Sequence, residues 1–138
     1  MKSLIDDVKK FHLLTATPIL PRPKKPSLAR INLRETLLRE EYMEAIEAME
    51  QLKSALPGDE KTQLCNLARE LVDVIYVAVG AAIETGIDLQ PIWDEVQRAN
   101  MTKTLDHQRS DGKVIKPPGF VPPQINPIIT EQIIQGHE

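Results

Sequence analysis

Two pairs of acidic residues, each pair three positions apart, carry the first suggestion of chemistry. Glu41 and Glu44 lie in "LLREEYMEAIEAMEQL", with Glu40 four residues before Glu44 and with Glu47 and Glu50 continuing the run. Glu70 and Asp73 lie in "NLARELVDVIYVAVGAAIETG". In a helix, residues three apart project from neighbouring positions on one face. The second pair sits among Leu67, Leu71, Val72, Val74, Ile75, Val77 and Ala78. A helix that is apolar nearly all round is normally buried, and burying an unpaired carboxylate is costly. Two carboxylates side by side raise each other's pKa, so a cation must compensate. A lysine or arginine would serve. A divalent metal ion serves better, because it takes oxygen ligands from several directions at once.

By itself, the acidic run from Glu40 to Glu50 reads as a solvated helix face. Its match with Glu70 and Asp73 makes it a candidate site. Two antiparallel helices joined by a short turn at Pro57 and Gly58 could face four carboxylates across a narrow gap. With no cationic residue placed between them, these form a hard oxygen site suited to Mg²⁺ or Mn²⁺ rather than zinc. Mg²⁺ commonly shares its shell with substrate phosphates, so the expected chemistry is on a phosphate ester or phosphoanhydride.

Four helices must hold this arrangement. The first is expected over about Leu4 to Leu14, with Leu4, Ile5, Val8, Phe11 and Leu14 on one face. Pro18, Pro21, Pro23 and Pro26 then forbid a helix and imply an extended strap. Ser27 can cap the second helix, which should run to about Ala55. The third should cover about Lys61 to Thr85 and stop at Gly86. Asp88 should cap a fourth from Leu89 to about Thr102, with Pro91 tolerated in its first turn. The segment "SDGKVIKPPGFVPPQINP" holds five prolines and two glycines and reads as a wrapping tail, with a short strand open at Lys113 to Lys116. The final "IITEQIIQGHE" could be a weak amphipathic helix or an arm. The class is all-α, a single domain over 1–138 with its core at about 4–105 and a tail at 106–138.

Composition bounds the function. The chain has 138 residues, a net charge of −3 and one cysteine, Cys65. Its pI of about 5.7 argues against general nucleic-acid binding. A lone cysteine forms no internal disulfide, which fits a cytosolic setting. The longest apolar run, Val74 to Ile83, is too short to span a membrane, and the early acids of "MKSLIDDVKKFH" do not suit a signal peptide. Trp93 and Cys65 are expected in the core. His107 and His137 are isolated and take no role.

The order of elements resembles the MazG-like all-α nucleoside triphosphate pyrophosphohydrolases. The resemblance rests on Glu41-x-x-Glu44, twenty-five intervening residues, and Glu70-x-x-Asp73. It continues through "GIDLQPIWDEVQRANMTK", with an Asn-Met-x-Lys element at Asn100, Met101 and Lys103, and covers roughly residues 8 to 125. "VKKFH" and "DGKVIKPPGFVPPQI" resemble a phage-like subgroup, some of whose enzymes act on guanine nucleotides. The Cof-like phosphohydrolase label that this subgroup carries does not suit the chemistry, since no DxD motif occurs near the N-terminus. "REEYME" also lacks the flanking glycines of a Nudix box.

The resemblance implies a four-helix core with a proline-rich strap and a wrapping tail. It implies cleavage of a (d)NTP, with dGTP or GTP suggested by the phage-like subgroup, to the monophosphate and pyrophosphate. Glu41, Glu44, Glu70 and Asp73 would hold Mg²⁺, with Mn²⁺ able to substitute, and Glu40 or Glu41 would orient or deprotonate the attacking water. Asn100 and Lys103 would contact phosphate or sugar. Arg98, Lys113 and Lys116 are further candidates, against ordinary surface solvation. Phe11 and His12 would lie near the nucleobase, against core packing for Phe11 and solvent for His12. The implied assembly is a homodimer or a dimer of dimers, in a host cytoplasm if phage-encoded. The alternatives are a phosphoribosyl-ATP pyrophosphohydrolase-like or dUTPase-like activity, or a non-catalytic module binding a partner through "IEAMEQL".

Overall fold

Two long helices form the spine of the protein. In the computed structural model, which describes residues 1–137, helix α1 spans Lys2–Leu14 and the spine helices are α2, Leu28–Lys53, and α3, Glu60–Thr85. Helix α4 follows at Leu89–Asn100, and α5 closes the chain at Ile125–Gln135. The class is all-α, a bundle of α1 to α4 with a distinct C-terminal helix. No helix among the described residues is long and apolar enough to cross a membrane.

The helix ends follow local chemistry. The Ser27 hydroxyl accepts from the Arg30 amide at 3.3 Å, and the Asp88 carboxylate accepts from the Gln90 amide at 3.0 Å. Each thereby satisfies an amide that a helix start leaves open. Gly86 ends α3 with φ +72°, a left-handed conformation that glycine adopts without penalty. A side chain there would also strike the Arg22 carbonyl.

The proline strap does more than cover a surface. Its Leu20 and Lys24 amides donate to the Ile83 and Thr85 carbonyls at 3.2 and 3.0 Å. These carbonyls lie in the last turn of α3, where the regular ladder runs out, and Ile83 also accepts from the Gly86 amide at 3.1 Å.

The apolar core lies between α1 and the second half of α3. Ile5, Val8, Val79 and Ile83 form it, with Met1, Ile19, Tyr76 and Leu89 packed against it. The buried stripe of α1 is therefore Ile5, Val8 and His12. Leu4 and Phe11 are only half-buried, and Leu14 is exposed, contrary to the expected face. The buried stripe keeps Ile5 and Val8 of that face and is turned from it by a fraction of a turn, towards His12.

His12 is 2 % exposed, not solvated. Its Nδ1 lies 3.1 Å from the Pro18 carbonyl and its Nε2 lies 3.3 Å from Arg34 Nη2. Since a carbonyl only accepts and a guanidinium only donates, the ring is neutral with its proton on Nδ1. Gly80 makes this meeting possible. An added Cβ would lie 2.9 Å from Arg34 Nη1 and 3.2 Å from His12 Nε2.

Burial lowers the His12 pKa from its ordinary 6.5. The charges of Arg34 and Arg30 act the same way, against the Pro18 hydrogen bond and Glu84. The unfolded chain therefore binds a proton at His12 before the folded one does, so stability falls as pH drops below 6.5. Urea unfolding at about pH 7.5 and about pH 5.5 should show this loss, and His12→Gln should flatten it.

The tail folds back onto its own chain. Arg22 Nη1 donates to the carbonyls of Ile133 and Ile134 at 3.2 and 2.7 Å, and the His137 amide donates to Pro21 at 2.9 Å. The buried Gln132 side chain bonds the Asp88 amide and carbonyl at 2.9 and 3.0 Å. The last segment is thus a docked helix. The expected strand at Lys113 to Lys116 reduces to an isolated bridge between Gln108 and Val114. Trp93 is more than half exposed and Cys65 is exposed, both against expectation. Trp93 stands on α4, which packs at the edge of the bundle against α5.

Candidate functional site

Helices α2 and α3 run antiparallel and pack along most of their length. Ala45 and Ala48 are buried on α2, and such small side chains let two backbones approach closely. Beside them, Glu41 and Glu44 of α2 meet Glu70 of α3. One carboxylate oxygen from each lies within 4.8 Å of the other two. Glu70 is 6 % exposed, Glu41 is half-buried and Glu44 faces solvent.

Asp73, the fourth expected member, lies outside this close group, although its charge reaches Glu41. It is half-buried one turn further along α3. Burial raises the Glu41 pKa above its ordinary 4.5. Repulsion from Glu44, Asp73, Glu70 and Glu40 adds to the shift. Glu40 itself is exposed.

One expectation is corrected here. A cation does sit against the carboxylates: Arg69, the residue before Glu70. Its Nη2 and Nε donate to Glu70 Oε1 at 2.5 and 3.2 Å. The other oxygen, Glu70 Oε2, is buried and has no hydrogen-bond partner. A carboxylate oxygen withdrawn from water and left unpaired is costly. This orphan, with two further carboxylates beside it and only oxygen donors, fits a hard dication.

The group lies between two recesses along the seam. On one side is a polar cleft of about 360 Å³ lined by Glu44, Glu47, Gln51, Asn66, Arg69 and Glu70. On the other is a more apolar slot of about 310 Å³, whose walls include Phe11, Thr17, Leu37 and Tyr76. The Phe11 and Tyr76 rings meet edge-on, with centroids 5.6 Å apart. Tyr76 is one turn past Asp73 on α3, and Leu37 is one turn before Glu41 on α2. His12 also borders the slot, but both of its ring nitrogens are occupied.

The expected phosphate-binding residues gather elsewhere. Lys103 Nζ donates to Asn100 Oδ1 at 2.9 Å, and Lys103 and Lys116 lie 5.6 and 5.8 Å from the centre of the Phe120 ring. Arg98 forms a two-point pair with Glu95 at 2.9 Å, and the Gln124 amide adds a hydrogen bond at 2.8 Å. Together these hold the Glu95 pKa at about 2. Lys113 is exposed beside Asp111. None of these five residues hydrogen-bonds or ion-pairs with Glu41, Glu44, Glu70 or Asp73.

Sequence reasoning missed a second charged centre. Glu84, 1 % exposed, receives Arg30 and Arg34 from α2. Burial pushes its pKa up, but the hydrogen bonds from Arg30 and then Arg34 outweigh burial and leave it lowered. The available signal was two arginines four apart, with an acid at the apolar end of the facing helix.

An all-α bundle with acidic pairs facing across two antiparallel helices is the architecture of the MazG-like pyrophosphohydrolase superfamily. A family model described as phosphoribosyl-ATP pyrophosphohydrolase matches residues 8–100, and the chain belongs to that family. The match takes in Phe11, His12, both acidic pairs, Arg98 and Asn100. Lys103, Lys113 and Lys116 fall beyond it. No curated protein sequence matches significantly.

Proposed function

We propose that the protein is a Mg²⁺-dependent pyrophosphohydrolase that cleaves between the α- and β-phosphates of a nucleotide. Mn²⁺ would substitute. Membership of a pyrophosphohydrolase family supports the reaction class. The observation that carries the site is the buried, unpartnered Glu70 Oε2 beside Glu41 and Glu44. Phosphoribosyl-ATP leads the substrates, because the family description names it. The guanine preference rests on the subgroup resemblance alone.

In this reading Glu41, Glu44 and Glu70 hold the metal, with Asp73 completing the set from the next turn. When bound, the metal polarises phosphate oxygens and acidifies a water molecule. Glu41, which belongs to the close group, orients or deprotonates the attacking water ahead of the exposed Glu40. Phe11, Tyr76 and Leu37 supply apolar walls for the base. His12 positions the slot rather than touching the base. The opposite cleft receives the departing pyrophosphate.

The protein acts as a homodimer, or a dimer of dimers, in this proposal. Helices α2 and α3 expose Leu38, Tyr42, Met49, Leu71 and Ile75, which self-association would cover. Among the described residues the Asn100, Lys103 and Lys116 cluster bonds none of the four proposed ligands, so in this proposal it reaches a phosphate from the second copy. Arg98 and Lys113 stand at its edge.

The test is a panel of phosphoribosyl-ATP and all NTPs and dNTPs, dUTP included, with Mg²⁺ or EDTA. The expected result is metal-dependent release of equal amounts of pyrophosphate and monophosphate, fastest with phosphoribosyl-ATP. A faster dNTP would move the substrate and keep the reaction. No turnover on any member, with stability indifferent to EDTA, would leave the helical interaction module.

A further inference from the structure

Arg69 stands in an unusual place for an exposed arginine. Its side chain is 73 % exposed, yet its guanidinium reaches back to a carboxylate that is 8 % exposed. Glu70 is its closest partner, and the charges of Asp73 and Glu44 act on it as well. The guanidinium therefore sits in the field of the same acids that would hold the dication. It covers Glu70 Oε1 and leaves Oε2 bare. Among the residues lining the polar cleft it is also the one cation, facing Glu44, Glu47 and Glu70.

A guanidinium and a dication cannot share this position comfortably. Both are attracted to Glu70, and they repel each other. The pair is exposed on the arginine side, so releasing it costs little. Once a dication neutralises Glu70, Arg69 loses its strongest attraction. The open cleft beside it, with Asn66 and Gln51 on its wall, gives the side chain room to turn.

We infer that Arg69 is an exchangeable placeholder for the dication: it holds Glu70 until the metal displaces it, and the freed guanidinium then faces the departing pyrophosphate. The inference rests on the proposed metal site and adds a positioning residue to it. No proton or electron moves in this exchange. An ion pair is replaced by a metal–carboxylate contact, and the arginine charge passes to the phosphate side. The planar fork of a guanidinium suits phosphate oxygens.

The experiment is a Mn²⁺ titration of nucleotide-free protein by calorimetry, comparing the parent, Arg69→Gln, Arg69→Lys and Glu70→Gln. Helical circular dichroism checks each fold, and the exposure of Arg69 favours folding of its variants. Without its competitor the site should bind Mn²⁺ about three- to fivefold more tightly in Arg69→Gln. Arg69→Lys should stay near the parent. Product inhibition by pyrophosphate should weaken about tenfold in Arg69→Gln. Tighter metal binding with weaker product inhibition is a combination that a merely structural role would not produce. Unchanged or weaker Mn²⁺ binding in Arg69→Gln overturns the placeholder, whatever happens to inhibition. Equal Mn²⁺ binding by the parent and Glu70→Gln would instead remove the metal site, and this inference with it.

Discussion

Glu70→Gln is expected to stop the proposed pyrophosphate release and to leave the helices intact. Glutamine keeps the size and shape of the side chain and removes its charge. In metal-free protein that change is mild, because the charge lost is held only by the exposed Arg69 on one oxygen, while Glu70 Oε2 is buried without a partner. With metal present the effect is large. Removing one of the proposed ligands of a transition-state cation should lower kcat by at least about 100-fold. Two measurements check this. Turnover should vanish towards background, and saturating Mg²⁺ should raise the melting temperature of the parent by about 5 °C but not that of the variant. Full turnover in Glu70→Gln, or an equal Mg²⁺ shift in both proteins, would reject the site.

The second large effect is on stability. Glu84→Ala should cost about 3 kcal/mol, because it strips the buried partner from Arg30 and Arg34. Of these, Arg34 is the more enclosed, at 14 % exposure, and it also touches His12. Chemical denaturation at pH 7 measures the loss. The acid limb gives an independent check. The Glu84 pKa is lowered from 4.5 in the folded protein, so its contribution is complete above 4.5 and fades as pH falls through the lowered value. The variant should therefore lose less stability than the parent across that range. Equal stabilities at neutral pH would show that the pair only offsets its own desolvation.

Much of this protein is legible locally. Ser27, Gly86 and Asp88 mark helix ends because capping is decided within a few residues. The acidic pairs announce themselves because a three-residue step fixes a shared face. What escaped depends on how elements meet. Arg69 precedes Glu70, and adjacent helix positions do not face each other, but a long flexible arginine can turn back across that angle. The sequence offers His12 as a nucleobase contact or a solvated side chain, because histidine is polar and the expected apolar face leaves it out. Its burial follows from Arg34, twenty-two residues away, and from the gap that Gly80 leaves. Trp93 and Cys65 looked like core residues by type, yet residue type does not say which face of a helix finds a neighbour. The cluster around Phe120 joins residues of the chain after α4 whose spacing follows no helical period.

The link between the spine helices, residues 54–59, sets what the family spacing can tolerate. Gly58 has open space around it, so an extra residue there would enlarge a loop and leave both helices in rotational phase. An extra residue after Glu44 would act differently. The ion pairs at Glu84 anchor the upstream part of α2, and everything downstream would turn by about 100°. Ala45 and Ala48 would swing out of the seam, and larger neighbours would wedge the two backbones apart. The interval between the acidic pairs is therefore elastic only across residues 54–59, whereas its helical stretches and the three-residue step inside each pair are a rigid gauge.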